Sequence, residues 1–216
     1  VVAEAVALAR ANGVDGFVVE YDGVPWERPG IDAVYDVADA AGDFAGALIL
    51  DFDVLAYRNG GAIDAAVLDG ALGAVAAYAD RPSQLRVGSQ PVVFLYGAGR
   101  VEPSWWSGAL DRLRRSTGVE PFVVDGDGRL GAAGRYAYST NTLDAAGLER
   151  WARELLLRNR VTPGLDGAGG PLWVAPVSPG YDDSRLGRPS PVVIDRAGGR
   201  RYDASWTAAL ATLPDW

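Results

Sequence analysis

The 216-residue chain contains no histidine, no cysteine, no methionine and no lysine. Without histidine there is no Ser-His-Asp triad, no Cys-His pair and none of the commonest zinc sites. Without cysteine there is neither a disulfide framework nor a thiolate metal site. Without lysine, Schiff-base chemistry and the phosphate-loop amine are gone, and all 20 basic residues are arginine. Positive charge is scarce overall: the net charge is −8, which argues against a nucleic-acid partner, since phosphate binding needs clustered Arg and Lys. No apolar run is long enough to cross a bilayer. Proton transfer therefore falls to Asp, Glu and Tyr. Nothing in the sequence calls for a metal or a cofactor. Methionine is missing even at position 1, and the chain opens inside a helix pattern, with Val2, Ala5, Val6 and Ala9 on one face and Gly13 as a stop. The sequence thus reads as a fragment; no signal peptide is visible, and the compartment and oligomeric state stay open.

What is present in quantity is hydrophobic sequence, 49% of the chain, enough for a sizeable core. It is organised as strand-like runs alternating with amphipathic stretches. The strand-like runs are Val14 to Tyr21, Ala45 to Phe52, Pro91 to Tyr96, Pro121 to Asp125, the weaker Arg135 to Thr140, and Leu172 to Val177. Several are near-continuous β-branched and aromatic runs, as in parallel strands covered on both faces. Helical faces are spelled by Ile31, Val34, Tyr35 and Ala38, and by Ile63, Val67, Leu68, Leu72 and Val75. Others are Trp106, Ala109, Leu110 and Leu113 behind a Ser104 cap, and Leu148, Trp151, Ala152, Leu155 and Leu156. Asp203 is expected to cap a last helix carrying Trp206, Ala209, Leu210 and Leu213. The longer links, Asp22 to Gly30, Asp53 to Gly61 and Tyr181 to Gly199, all follow strands. No low-complexity linker divides the chain, so a single domain is expected. Alternation of this kind means α/β. An open doubly wound sheet and a (β/α)8 TIM-type barrel compete; the latter needs eight strands and roughly 250 residues. Six strands with a helix at each end fit an incomplete barrel lacking its first and last strands.

The strand ends separate these two closures. Glu20, Tyr21 and Asp22 end the first run, Asp51 and Asp53 the second, Tyr96 the third, Asp125 and Asp127 the fourth, and Tyr138, Thr140 and Asn141 the fifth. Tyr181, Asp182, Asp183 and Arg185 follow the sixth. A barrel gathers all of these at one rim; an open sheet spreads them along an edge. Carboxylates and aromatics without histidine suit sugars, and glycoside hydrolysis needs two carboxyl groups flanking the scissile bond. A single Asp after a strand is more often turn or cap chemistry; it is the recurrence at every strand end that points to a site. Trp105 and Trp106 read as helix packing. Trp26, in a Pro-flanked loop, reads equally as packing or as a sugar platform. The arginines at 112, 114 and 115 read as a solvated helix face. Gly126 to Gly131 matches GxGxxG, but no helical face follows it, so a Gly-rich loop is the better reading. The calcium-loop hint in Asp125-x-Asp127 fails at Arg129 and Tyr136.

Three segments, ANGVDGFVVEYDG, YADRPSQLRVGSQPVVFLYG and above all WVAPVSPGYDDSRLGRP, carry a resemblance, and RRYDASWTAALATLPDW follows them at the expected distance. The chain resembles the glycoside hydrolase family 99-like (β/α)8 domains, a group that includes endo-α-mannosidases and is related to family 71 α-1,3-glucanases. The resemblance implies a glycan-active hydrolase with a carbohydrate substrate. It places Asp182, Asp183 and Arg185 along or behind a sugar site, and Tyr21, Tyr96 and Tyr138 at rim positions. It also implies that the two catalytic glutamates belong to an Asn-Glu-Trp-x-Glu type motif beyond Trp216. The mannosidases carry an Ile-Glu-Pro-Tyr type motif where this chain has Leu50-Asp51-Phe52-Asp53, so the sugar itself is not implied. A non-catalytic glycan-binding or biosynthesis-associated barrel is the alternative, and a nucleotide-binding oxidoreductase a more distant one.

Overall fold

The computed structural model describes residues 1–126, 130–138, 147, 150, 172–187 and 189–211. By their contacts they fall into two compact units, Val1–Ala132 and Ala133–Trp216.

In the first unit, helix α1 (Val2–Ala11) leads to strand β1 (Gly16–Tyr21), α2 (Arg28–Ala41) and β2 (Ala45–Asp51). Two helices follow, α3 (Phe52–Arg58) and α4 (Ala65–Tyr78). Then come a short strand β3 (Arg86–Val87), β4 (Gln90–Tyr96), α5 (Pro103–Thr117) and β5 (Phe122–Asp125). Strands β1, β2, β4 and β5 lie side by side and parallel, and β3 folds back antiparallel onto β4. The helix boundaries follow from local chemistry. Gly42 and Gly118 take left-handed backbone at φ 75° and 74° and end α2 and α5. Pro103 opens α5, so Glu102 is its N-cap residue and Ser104 lies inside the helix rather than capping it. The segment from Asp53, expected to be a loop, is instead α3. Asp51 leaves the strand in extended conformation and its Oδ1 accepts the Val54 N–H at 2.9 Å, which starts a helix at once.

Both faces of this sheet are buried at β2, β4 and β5, and one packs against the helices. Leu48, Leu50, Val93, Leu95 and Val123 pack against Ile31 and Tyr35 of α2, Leu68 and Leu72 of α4, and Trp106 and Leu113 of α5. Trp106 meets Phe52 edge-on, with ring centroids 5.9 Å apart. Its neighbour Trp105 is exposed, which corrects the reading of both as packing. Gly46 leaves room for Tyr35: a Cβ there would stand 2.9 Å from the ring.

In the second unit, β6 (Gly134–Tyr136) and β7 (Leu172–Val174) pair in parallel, while β8 (Tyr181–Asp182) and β9 (Val193–Ile194) form a small antiparallel hairpin. Helix α6 (Arg200–Leu210) closes it. Its N-cap is Gly199 at φ 95°, and Asp203 sits within the first turn, so the expected Asp203 cap is not formed. Its buried residues are Ser205, Ala208 and Ala209, while Trp206 and Leu210 face solvent. Ser205 anchors the helix: its Oγ accepts the Ser178 N–H at 3.2 Å and donates to Tyr202 O at 2.9 Å. All of the helix expected over 148–156 except position 150, positions 127–129 of the GxGxxG loop, Thr140, Asn141 and residues 212–216 lie outside the described residues.

Candidate functional site

Residues paired across parallel strands point to the same face, and successive residues alternate. Tyr21, Leu50, Leu95 and Asp125 are in register and share the helix-packed face; Glu20, Ile49, Phe94 and Val124 share the other. Asp51 pairs with Tyr96 two residues further on, on the face of Glu20. Strand parity therefore divides the expected site residues. Glu20, Asp51 and Tyr96 belong together, with Asp22 next after β1. Tyr21 and the buried Asp125 belong to the opposite face.

Glu20, Asp22 and Asp51 come into mutual reach, with one carboxylate oxygen from each lying within 4.8 Å of the others. Asp51 is 6% exposed. One of its oxygens is committed to α3, and its carboxyl group also hydrogen-bonds Glu20. Glu20 is pushed up to about 7 by partial withdrawal from water, by that hydrogen bond, and by the negative charges of Asp22, Asp51 and Glu27. Burial and acidic neighbours thus raise the proton affinity of Glu20 into the neutral range. Arg58 at the end of α3 offers Asp22 a partner at 3.6 Å. The spacing would also fit a divalent cation, but the proton on Glu20 and the Arg58 guanidinium already offset part of the charge.

The loop after β1 is held by Glu27, a residue the sequence reading passed over. Its Oε2 accepts the N–H of Asp22 at 3.0 Å and of Val24 at 3.3 Å. Withdrawal from water raises the affinity of Glu27 for its proton, while these two N–H groups oppose the shift. Gly23, at φ 79°, lies so close to α3 that a Cβ would come within 2.8 Å of Leu55 Cδ2. Asp53 turns to Arg100, whose Nε donates to it at 2.6 Å.

The remaining expected residues belong to the second unit. Asp183 is 2% exposed. It clamps the β8–β9 hairpin: its Oδ1 accepts the Val192 N–H, its own N–H donates to Val192 O at 3.1 Å, and Tyr181 OH reaches its Oδ2 at 3.5 Å. Asp182 accepts the Ser184 N–H at 2.9 Å, and hydrogen bonds from Ser184 hold its carboxyl below the usual range. Arg185 lies exposed in a short 3-10 turn, Ser184–Leu186, and Tyr138 is exposed.

Parallel strands alternating with helices, and polar residues gathered past their C-terminal ends, define the α/β architecture of (β/α)8-barrel type. Comparison with solved structures narrows this to a family 99-like fold. The chain is similar to a GH99 endo-α-mannosidase from Bacteroides thetaiotaomicron, in a complex with Bis-Tris propane (TM-score 0.73) and in a second structure (TM-score 0.74). Sequence identity is 17% in both, over 98% of this chain. The chain spans 66% and 62% of those two chains, under two thirds of their length. No family model and no curated protein sequence matches the chain. No helix among the described residues is long and apolar enough to cross a membrane.

Proposed function

We propose that this chain forms the greater part of a glycoside hydrolase acting on a polysaccharide or oligosaccharide, of endo-α-mannosidase-like type. The observation that carries the reading is the carboxylate trio Glu20, Asp22 and Asp51 past the C-terminal ends of two adjacent strands, in a fold shared with that class of enzyme. A carboxylate accepts hydrogen bonds and a protonated carboxyl group donates one, so the trio offers both to the vicinal hydroxyls of a sugar ring.

A second reading, binding without cleavage, has one observation in its favour. Glycosidase carboxyl pairs stand about 5–5.5 Å apart when configuration is retained and about 6.5–9.5 Å when it is inverted. Oxygens of Glu20 and Asp51 lie within 4.8 Å of each other, closer than either spacing. The trio is therefore assigned to sugar binding, and the cleaving acid and base are not assigned to it.

Calorimetry and reducing-end release, measured on the same α-mannan fragments, separate the readings. Binding with release supports the hydrolase, and binding without release supports the second reading. Failure to bind any neutral glycan in a broad panel removes both.

A further inference from the structure

Two large aromatic side chains stand in water on the segments that leave β1 and β2: Trp26 is 72% exposed and Tyr57 is 85% exposed. An indole on a loose loop folds back onto its own surface. The loop that carries Trp26 has a fixed backbone. Glu27 ties down the N–H groups of Asp22 and Val24, and its own N–H returns to Val24 O at 3.2 Å. Pro25 fixes the backbone just before the indole, and α2 begins two residues after it. Tyr57 lies on α3, whose Leu55 packs on Gly23 and whose Arg58 reaches Asp22 at 3.6 Å. The two aromatic-bearing segments are thus tied to each other next to Glu20, Asp22 and Asp51.

We propose that Trp26 is the stacking platform of a neutral-sugar subsite beyond the ends of β1 and β2, flanked by Tyr57, with the carboxylate trio taking ring hydroxyls. The inference rests on the glycan-binding reading above and names its subsite and sugar class. The electron-rich face of an aromatic ring attracts the C–H face of a pyranose. An aromatic side chain on fixed backbone gives that contact area with only its two side-chain torsions left to order. Charge selects the sugar. The acids Glu20, Asp22, Glu27 and Asp51 outnumber Arg28 and Arg58, so the carboxylate of a uronic acid ring meets a surround of its own sign.

The test is calorimetry of the intact protein against a neutral α-mannan oligosaccharide and an oligouronate of equal length. Trp26→Ala is expected to weaken neutral-sugar binding by about tenfold or more, Trp26→Phe by no more than about threefold. An indole this exposed is expected to leave the melting temperature of either variant where it was. Tyr57→Ala gives a smaller loss, and the oligouronate binds at least about tenfold more weakly to the wild type. Wild-type affinity in Trp26→Ala, with loss in Glu20→Gln, overturns the subsite and leaves the glycan reading standing. Preference for the oligouronate overturns the neutral-sugar assignment. A wild type that binds no glycan removes both the subsite and the reading beneath it.

Discussion

Glu20 binds its proton more tightly than an ordinary glutamate for three reasons: the side chain is partly withdrawn from water, Asp51 shares a hydrogen bond with it, and Asp22 and Glu27 add negative charge. The folded-state value of about 7 lies above the ordinary glutamate value of 4.5. In this window the folded protein holds a proton that the unfolded chain has released, so stability falls as pH rises between the two values. Below the lower value this contribution is fully present; above the upper one it is lost. Glu20→Gln cannot release the proton, and its melting temperature is expected to stay flatter than the wild type's across that interval in a pH series of thermal melts. Asp183 makes a different demand. It is buried and its carboxylate receives the Val192 N–H. Asp183→Ala leaves that donor unsatisfied and is expected to cost about 1–3 kcal/mol, read by urea denaturation. Protease cuts between positions 183 and 192 should appear sooner in the variant. Both residues stood in the sequence as acids after strands. Their neighbours give them different work: Asp51 comes from the next long strand, and Val192 from across a hairpin.

Elements respond through their backbones. Gly16 opens β1 against Ala45, and a Cβ there would lie 2.6 Å from the Ala45 carbonyl oxygen. Because backbone has to shift, Gly16→Ala is expected to destabilise by about 1–3 kcal/mol. Gly70 lies in α4 with open space around its would-be Cβ. Gly70→Ala should stabilise by about 0.5–1 kcal/mol through helix propensity alone. Chemical melts of the two variants, run together, give shifts of opposite sign. Legibility at this scale had a clear limit. Apolar runs located β1, β2, β4 and β5 to within a residue or two, because continuous burial leaves an unbroken pattern. Helix α3 was hidden, because Asp51-Phe52-Asp53 reads equally as a strand end with a polar loop or as a cap with a first turn. The Asp51-x-x-Val54 spacing was the available signal. Ser104 and Asp203 were good cap residues in the wrong places, overruled by Pro103 at the start of α5 and the left-handed Gly199 before α6.

For the molecule as a whole, α/β alternation was plain in the sequence, whereas the site needed strand register. Every strand end carried acids or tyrosines, yet only parity across β1, β2, β4 and β5 separates Glu20, Asp51 and Tyr96 from Tyr21 and Asp125. Residue counting within each strand was possible from sequence; the offset between strands was not. Among the described residues β1 has one strand neighbour, β2, and its Val18 is 47% exposed. An open edge with an apolar side chain invites pairing between copies. Val18→Lys is expected to raise the temperature at which light scattering sets in, with the helical signal unchanged. The gathering of acids past the ends of β1 and β2 also has a use in protein engineering. If the proposed sugar subsite holds, a combinatorial library at positions 20, 22 and 26 would vary its preference without entering the hydrophobic interior. Asp51 is the exception to leave fixed, because the same carboxylate that faces the acids also starts α3, so altering recognition there would alter the scaffold too.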